Sequence, residues 1–352
     1  MGFLKRYPWS AACLGAILFF SGCTIWRPLH PPAKSPALPE FYRTYYDYPA
    51  IDPKAEVLEE IVSKKYILRK IEFPLSFPED LQITNLEAFK KSVEELSKTD
   101  AKTAKDQKLR YTNRIDLYLP KNMKPGERRP VVLISPILGG NMVVDRFARY
   151  YASRGLIAAL VYRKRVFWDD EEKYPDSLEN YLRFSVIRLR QALDWLEKQP
   201  EVDAGRIGAF GVSYGAILHT VLAAVDDRIR YHVLAMPAGE LSELIKTCPE
   251  KSLRKMERHV LEKYGFSREK VYADLKESIK TDPIYLAPFV DRSKVEIYIA
   301  LFDRVVGAGR SWHLWKTLGR PRVKVMPFGH YGGVVIFPYL EMQSCRAFKK
   351  HL

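Results

Sequence analysis

Arg206-Ile207-Gly208-Ala209-Phe210 runs into Gly211-Val212-Ser213-Tyr214-Gly215, and a largely apolar stretch from Ala216 to Ala224 runs out. A short buried strand, a glycine-bracketed serine and a buried helix, in that order, read as strand, sharp turn and helix. Small residues flank such a turn because the serine backbone is strained and its neighbours pack closely. Presented at the apex, the Ser213 hydroxyl is a candidate nucleophile. At neutral pH it is a poor one, so it needs a neighbouring base that is itself oriented by a third group.

Outward from this stretch, continuous apolar runs alternate with helical ones, the pattern of strands buried on both faces. Val131 to Ile134, Ile157 to Tyr162, Ile207 to Phe210, His232 to Met236, Val295 to Leu301 and Val323 to Met326 are the predicted strands. Val143 to Ser153, Leu178 to Lys198, Tyr214 to Val225, Ser311 to Leu318 and Val334 to Lys349 are the predicted helices. The fold class expected is α/β, a doubly wound, mostly parallel sheet. Gly239 to Val290 is too long for an ordinary connection, and Leu253, Met256, Val260, Leu261 and Tyr264 recur in it at helical spacing. It is expected to be an inserted helical cap over the carboxyl edge of the sheet. Upstream, Lys65 to Phe73 and Arg110 to Leu119 alternate as half-buried strands do, and Leu86, Phe89, Val93 and Leu96 mark a surface helix between them.

The strand ending at Leu301 delivers Phe302-Asp303-Arg304-Val305-Val306, and the strand ending at Met326 delivers Pro327-Phe328-Gly329-His330-Tyr331-Gly332-Gly333. Functional groups of open α/β sheets gather outside the carboxyl ends of the strands. Ser213, Asp303 and His330 would therefore meet at one rim, with His330 as base and Asp303 steadying it. Glu240 or Glu243, just past the strand ending at Met236, could supply the carboxylate instead. His313 falls in a helical segment beside Trp312 and Trp315, and His219 and His232 fall in a buried helix and strand, where a packing role is expected.

The chain order Ser, Asp, His resembles that of the α/β-hydrolase superfamily, over about residues 65 to 350. It resembles more narrowly the dienelactone-hydrolase and peptidase-like branch, in which a long helix and a VDxxRIG stretch lead into the elbow. Here these are Ala192-Leu193-Asp194-Trp195-Leu196 and Val202-Asp203-Ala204-Gly205-Arg206-Ile207-Gly208, with Asp203 and Arg206 forming a structural turn. The resemblance implies a serine hydrolase acting through an acyl-enzyme, without metal or cofactor. It also implies an oxyanion hole of backbone N–H groups. The family commonly has His-Gly after the strand that begins near Val131, whereas this chain has Ser135-Pro136-Ile137-Leu138-Gly139-Gly140. Pro136 has no N–H, so by position the donors are Tyr214 and Ile137, or Leu138.

Lys5 and Arg6 before the apolar run Ala11 to Phe20, then Ser21-Gly22-Cys23, follow the order of a secretory signal. Cys23 after small residues resembles the lipobox of bacterial lipoproteins, which implies cleavage after residue 22 and a lipid-bearing Cys23 on a membrane, facing the periplasm or exterior. The apolar run is short of the ~20 residues that span a bilayer. Residues 23 to 60, with Pro28, Pro31, Pro32, Pro36 and Pro39, read as a tether and N-terminal arm, and 61 to 352 as the folded domain. Four cysteines in 352 residues, without a CxxC pair, exclude a disulfide scaffold and offer no zinc site. Lys+Arg 57 against Asp+Glu 42, a net charge of +15, suits an anionic membrane surface. Because the positive residues are interspersed with acids and no recognition motif appears, nucleic acid is not an expected partner. The expected partner is a small-molecule or lipid-like acyl substrate; Phe167 and Trp168 add aromatic character near the site. Ester cleavage is the leading reading. Peptidase, thioesterase and acyltransferase use the same triad, and a non-catalytic envelope lipoprotein binding a ligand in the same pocket is the alternative of a different class.

Overall fold

A computed structural model describes residues 35–50, 54–83, 85–163 and 174–352. The signal segment 1–22, Cys23, Phe167 and Trp168 lie outside the described residues. Among the described residues nine strands form one sheet in the order β1-β2-β3-β5-β4-β6-β7-β8-β9. The first three, β1 (Glu56–Val62), β2 (Tyr66–Pro74) and β3 (Thr112–Pro120), pair antiparallel, and β3 pairs antiparallel with β5 (Ile157–Val161). From there β4 (Arg129–Ser135), β6 (Val202–Val212), β7 (Ile229–Ala235), β8 (Val295–Ala300) and β9 (Arg322–Met326) continue in parallel. This is the α/β-hydrolase fold, and the six apolar runs are its parallel strands.

Both faces of the sheet are covered, which is why β4 and β5 read as unbroken hydrocarbon rather than as an alternation. Helices Met142–Ser153 and Gly333–His351 pack Phe147, Tyr151 and Phe348 on one face. Helices Asp176–Glu197 and Tyr214–Val225 pack Val186, Leu193, Ile217 and Val221 on the other. The cap consists of helices Leu241–Thr247, Lys251–Tyr264, Arg268–Ser278 and Pro283–Leu286, and the buried side chains of its first three join the core of that second face.

Strand register decides which loops leave the sheet together. Ser135 pairs with Gly211, so the segment after β4 departs beside the turn after β6. Ala300 pairs with Met326, so the loops carrying Asp303 and His330 also depart side by side.

The first strand begins at Glu56, inside the 23–60 range read as tether and arm. The described part of that arm is packed against the body: Tyr46 is fully buried and donates to Thr281 Oγ1 at 3.0 Å. Tyr45 donates to Glu179 at 2.8 Å and Tyr48 to Asp194 at 2.7 Å. Glu179, itself buried, also accepts from the backbone N–H groups of Lys280 and Thr281 at 2.9 Å each, so one carboxylate ties the arm to the end of the cap.

Candidate active site

Ser213 sits between β6 and the helix Tyr214–Val225 with φ 54° and ψ −118°, a conformation an L-residue adopts at a cost of ~1–3 kcal/mol. Its backbone N–H donates to Ala235 O at 2.8 Å, which fixes the turn against β7. The two flanking glycines are required by contact. A Cβ on Gly211 would lie 2.4 Å from the Gly215 carbonyl, and one on Gly215 would lie 2.7 Å from Ser135 O. Strand, turn, helix and the neighbouring loop thus meet where only hydrogen atoms fit.

Asp303 is buried at the end of β8, and its Oδ2 lies 2.8 Å from His330 Nδ1. Its other oxygen accepts from the N–H groups of Val305 and Val306 at 2.9 and 3.0 Å, so the carboxylate is held from both sides. Contact with the carboxylate fixes Nδ1 as the protonated nitrogen and leaves Nε2 as the acceptor. Of the alternative acids, Glu240 lies 3.1 Å from His313 Nδ1, away from His330's partner, and His313 lies on the helix Ala308–Thr317. His219 and His232 are core residues, 0% and 2% exposed, and burial lowers the pKa of each to about 3. They remain neutral and closed off from substrate. Both ring nitrogens of His219 lack a well-formed hydrogen bond among the described residues, apart from a weaker contact with the Phe210 backbone. Asp203 and Arg206 form the expected turn, with Arg206 Nε 2.6 Å from Asp203 Oδ2.

Ser213 and His330 open onto one cavity of about 300 Å³. Leu138, Leu178, Ile217, Leu244 and Val306 are typical of its wall, and Glu250 is the acidic residue in it among the described residues. Cys248 also lines it, with its thiol pKa raised by burial, so it stays a neutral thiol. Cap residues Leu241, Leu244, Ile245 and Leu253 supply one side, so the insertion contributes directly to the site.

Ile137, Leu138 and Gly139 line the cavity beside Tyr214. Their loop is held by a residue the sequence reading passed over. Arg163, 6% exposed, donates through Nη2 to the carbonyls of Ile137 at 2.7 Å and Leu138 at 2.5 Å. Its Nη1 donates to Tyr181 OH at 2.8 Å, and the guanidinium lies 5.0 Å from the centre of the Tyr214 ring. A second clasp, Gly140 N–H to Ile137 O at 3.1 Å, closes the turn. In a planar trans peptide, N–H and C=O point opposite ways. Anchoring the carbonyls of Ile137 and Leu138 on Arg163 therefore turns the N–H groups of Leu138 and Gly139 away from it. Tyr214 is the first residue of its helix, where N–H groups lie outside the intrahelical ladder. The sequence signal for Arg163 was the first cation of Arg163-Lys164-Arg165, directly after the apolar run ending at Tyr162, a pattern that also describes many surface residues.

The X-Pro dipeptidyl-peptidase (S15) family matches residues 188–274, from the helix before β6 through the elbow into the cap. An uncharacterized protein of Mycobacterium tuberculosis is 26% identical over 149 residues, 42% of this chain and 33% of its own length. A polyketide transferase of Penicillium crustosum is 29% identical over 120 residues, 34% of this chain and 38% of its own. The chain thus spans about a third of the length of the curated relatives it matches. An acetyl xylan esterase of Thermoanaerobacterium superposes with a TM-score of 0.61 at 16% identity, covering 89% of this chain and 95% of that one. A putative dipeptidyl aminopeptidase of Bacteroides ovatus superposes with a TM-score of 0.51 at 18% identity, over 68% of this chain and 34% of the other. The chain is an α/β-hydrolase in fold. The coarse class that fold, family match and site together support is a serine hydrolase.

Proposed function

We propose that this protein is a carboxylic ester hydrolase working through Ser213, His330 and Asp303. The observation that carries the reading is the strained elbow serine and the carboxylate-held His330 opening onto one apolar cavity. Ser213 Oγ attacks the ester carbonyl carbon while His330 Nε2 takes its proton. The resulting oxyanion is met by the N–H groups of Tyr214 and Leu138, and Asp303 steadies the imidazolium. His330 then returns the proton to the departing alcohol. Water, deprotonated by the same imidazole, releases the acid and regenerates the serine.

The hydrocarbon walls favour an aliphatic acyl group. At ~0.8 kcal/mol per buried CH₂, kcat/KM for p-nitrophenyl esters is expected to rise about fourfold per methylene until the cavity is full. Ser213→Ala should abolish both this turnover and covalent labelling by a fluorophosphonate probe. Undiminished labelling of that variant would overturn the assignment. A peptidase is the second reading, favoured by the S15 match and by Glu250, whose carboxylate in the cavity wall could receive a peptide ammonium. Cleavage of an Xaa-Pro p-nitroanilide at a rate above that of the esters, lost in Glu250→Gln, would select it.

We further propose that the chain is exported and held on an envelope membrane by lipid on Cys23. The basic, apolar and small-residue order of residues 1 to 23 supports this, as does the +15 net charge. Among the described residues no helix is long and apolar enough to cross a membrane. Metabolic labelling with radioactive palmitate, lost in Cys23→Ser, is the expected result.

A further inference from the structure

A groove of about 640 Å³ lies between the helices Leu86–Ser97 and Ala101–Lys108 and the outer strands β2 and β3, and it shares no residue with the catalytic cavity. Arg114, on β3, lines it and is 9% exposed, yet its buried Nε meets no acceptor among the described residues. The guanidinium lies 4.9 Å from the centre of the Tyr162 ring, which positions it. Asp116, two residues along the same strand, has its Oδ2 engaged by Tyr162 OH at 2.9 Å; it feels the Arg114 charge, but burial, the larger effect, raises its pKa. A buried arginine donor left without an acceptor is costly, and a planar fork of donors suits a carboxylate or a phosphate.

The rest of the groove has two characters. Lys90, Lys105 and Lys108 stand around it with Arg114, against Glu72 and Glu94. Glu72 is paired with Lys108, and Lys90 meets Glu87 across an exposed contact of 2.7 Å that is worth little. Beneath the cations, Val93, Ala104 and Leu109 are buried and apolar, and Leu58 closes one side.

We propose that this groove is a second binding site, for an amphiphilic oxyanion. A phosphate or carboxylate head sits on Arg114 and Lys90, and an aliphatic tail lies along Leu58, Val93 and Leu109. The interleaved Glu72 and Glu94 disfavour an extended polyanion. The site stands on residues independent of the ester-cleaving centre, so failure of either reading leaves the other intact.

Calorimetric titration of the full chain with octyl phosphate, kept monomeric, and with inorganic phosphate tests it. Octyl phosphate should bind saturably and about tenfold more tightly than inorganic phosphate. Arg114→Gln should weaken it by about tenfold or more, the scale of a lost charge-assisted hydrogen bond. Lys90→Glu, an exposed charge reversal with little bearing on folding, should weaken it about threefold. Both variants should keep wild-type ester turnover. No lysine or arginine lines the catalytic cavity among the described residues, so a ligand lodged there would ignore both changes. Octyl phosphate binding unaltered by either variant, or absent from the wild type, would overturn the site. Equal affinity for the two phosphates would overturn the apolar-tail assignment and leave a free oxyanion as the ligand.

Discussion

The two walls that flank Ser213 are built by different means. On the elbow side, backbone meets backbone: Gly211 packs on Gly215, Gly215 packs on Ser135, and a positive φ holds the serine. On the oxyanion side, the loop 137–140 has lost a donor to Pro136 and keeps its shape through a side chain just past β5, Arg163. The first wall is dictated by residues adjacent in sequence. The second depends on a contact across 25 residues or more, so it can be dismantled without touching the elbow.

The sharpest way to break that contrast is Arg163→Met, which keeps the apolar stem and removes the fork. Two carbonyls lose their donor and the N–H groups they orient are no longer fixed, so kcat should fall by about 10² to 10³, the scale of a lost oxyanion donor. KM should hardly move, because the acyl-binding walls are made by other residues. A parallel loss of affinity for a trifluoromethyl ketone, which mimics the tetrahedral oxyanion, distinguishes orientation of the loop from simple loosening of the fold. Unchanged kcat would show that the loop holds itself, through Gly140 N–H and Ile137 O alone.

Gly215→Ala probes the seam where the walls touch. Its methyl group would sit 2.7 Å from Ser135 O and 3.2 Å from Pro136 O, both backbone atoms, so no side chain can swing aside. The helix must move from β4, at about 1–3 kcal/mol for an overpacked site. Displacing the loop by ~1 Å should cost about 10² in kcat. Urea melts and turnover on one preparation separate the two effects, and a variant with wild-type kcat would mean that the seam is softer than its contacts imply.

The difference between the walls also accounts for what could be read in the sequence. The elbow was legible because its glycines, strand and helix are contiguous, and the parallel strands because burial on both faces removes polar residues from them. The loops of Asp303 and His330 were legible as strand ends, and parallel register brings them within 2.8 Å. Arg163 was not legible, since nothing local distinguishes an arginine that folds back onto a loop from one that points into water. The packed arm was missed for the same reason. Tyr45, Tyr46 and Tyr48 look like an aromatic surface run until their hydroxyls find Glu179, Thr281 and Asp194, residues 134 or more positions away. Residue type announced the apolar layers well, whereas buried polar contacts between distant segments left no periodic trace.

The elbow wall has one vulnerability that the oxyanion wall lacks, and acid should expose it. His219 lies on the elbow helix and His232 on β7, and burial, with a smaller contribution from His232 on His219, lowers both pKa values to about 3 from 6.5. Above pH 6.5 both are neutral, folded or unfolded, and stability does not depend on them. Below it the unfolded chain takes up protons that the folded chain refuses, so each histidine should remove about 1.4 kcal/mol of stability per pH unit, down to about pH 3. His219→Leu deletes one such group and places hydrocarbon where the ring has only a weak contact with the Phe210 backbone. Urea melts of wild type and variant at pH 7, 6 and 5 should therefore diverge as pH falls, the variant losing about 1.4 kcal/mol less per unit between 6 and 5. Parallel stability curves would mean that the ring is hydrated and titrates in place, and that the elbow helix is less tightly sealed than its contacts indicate.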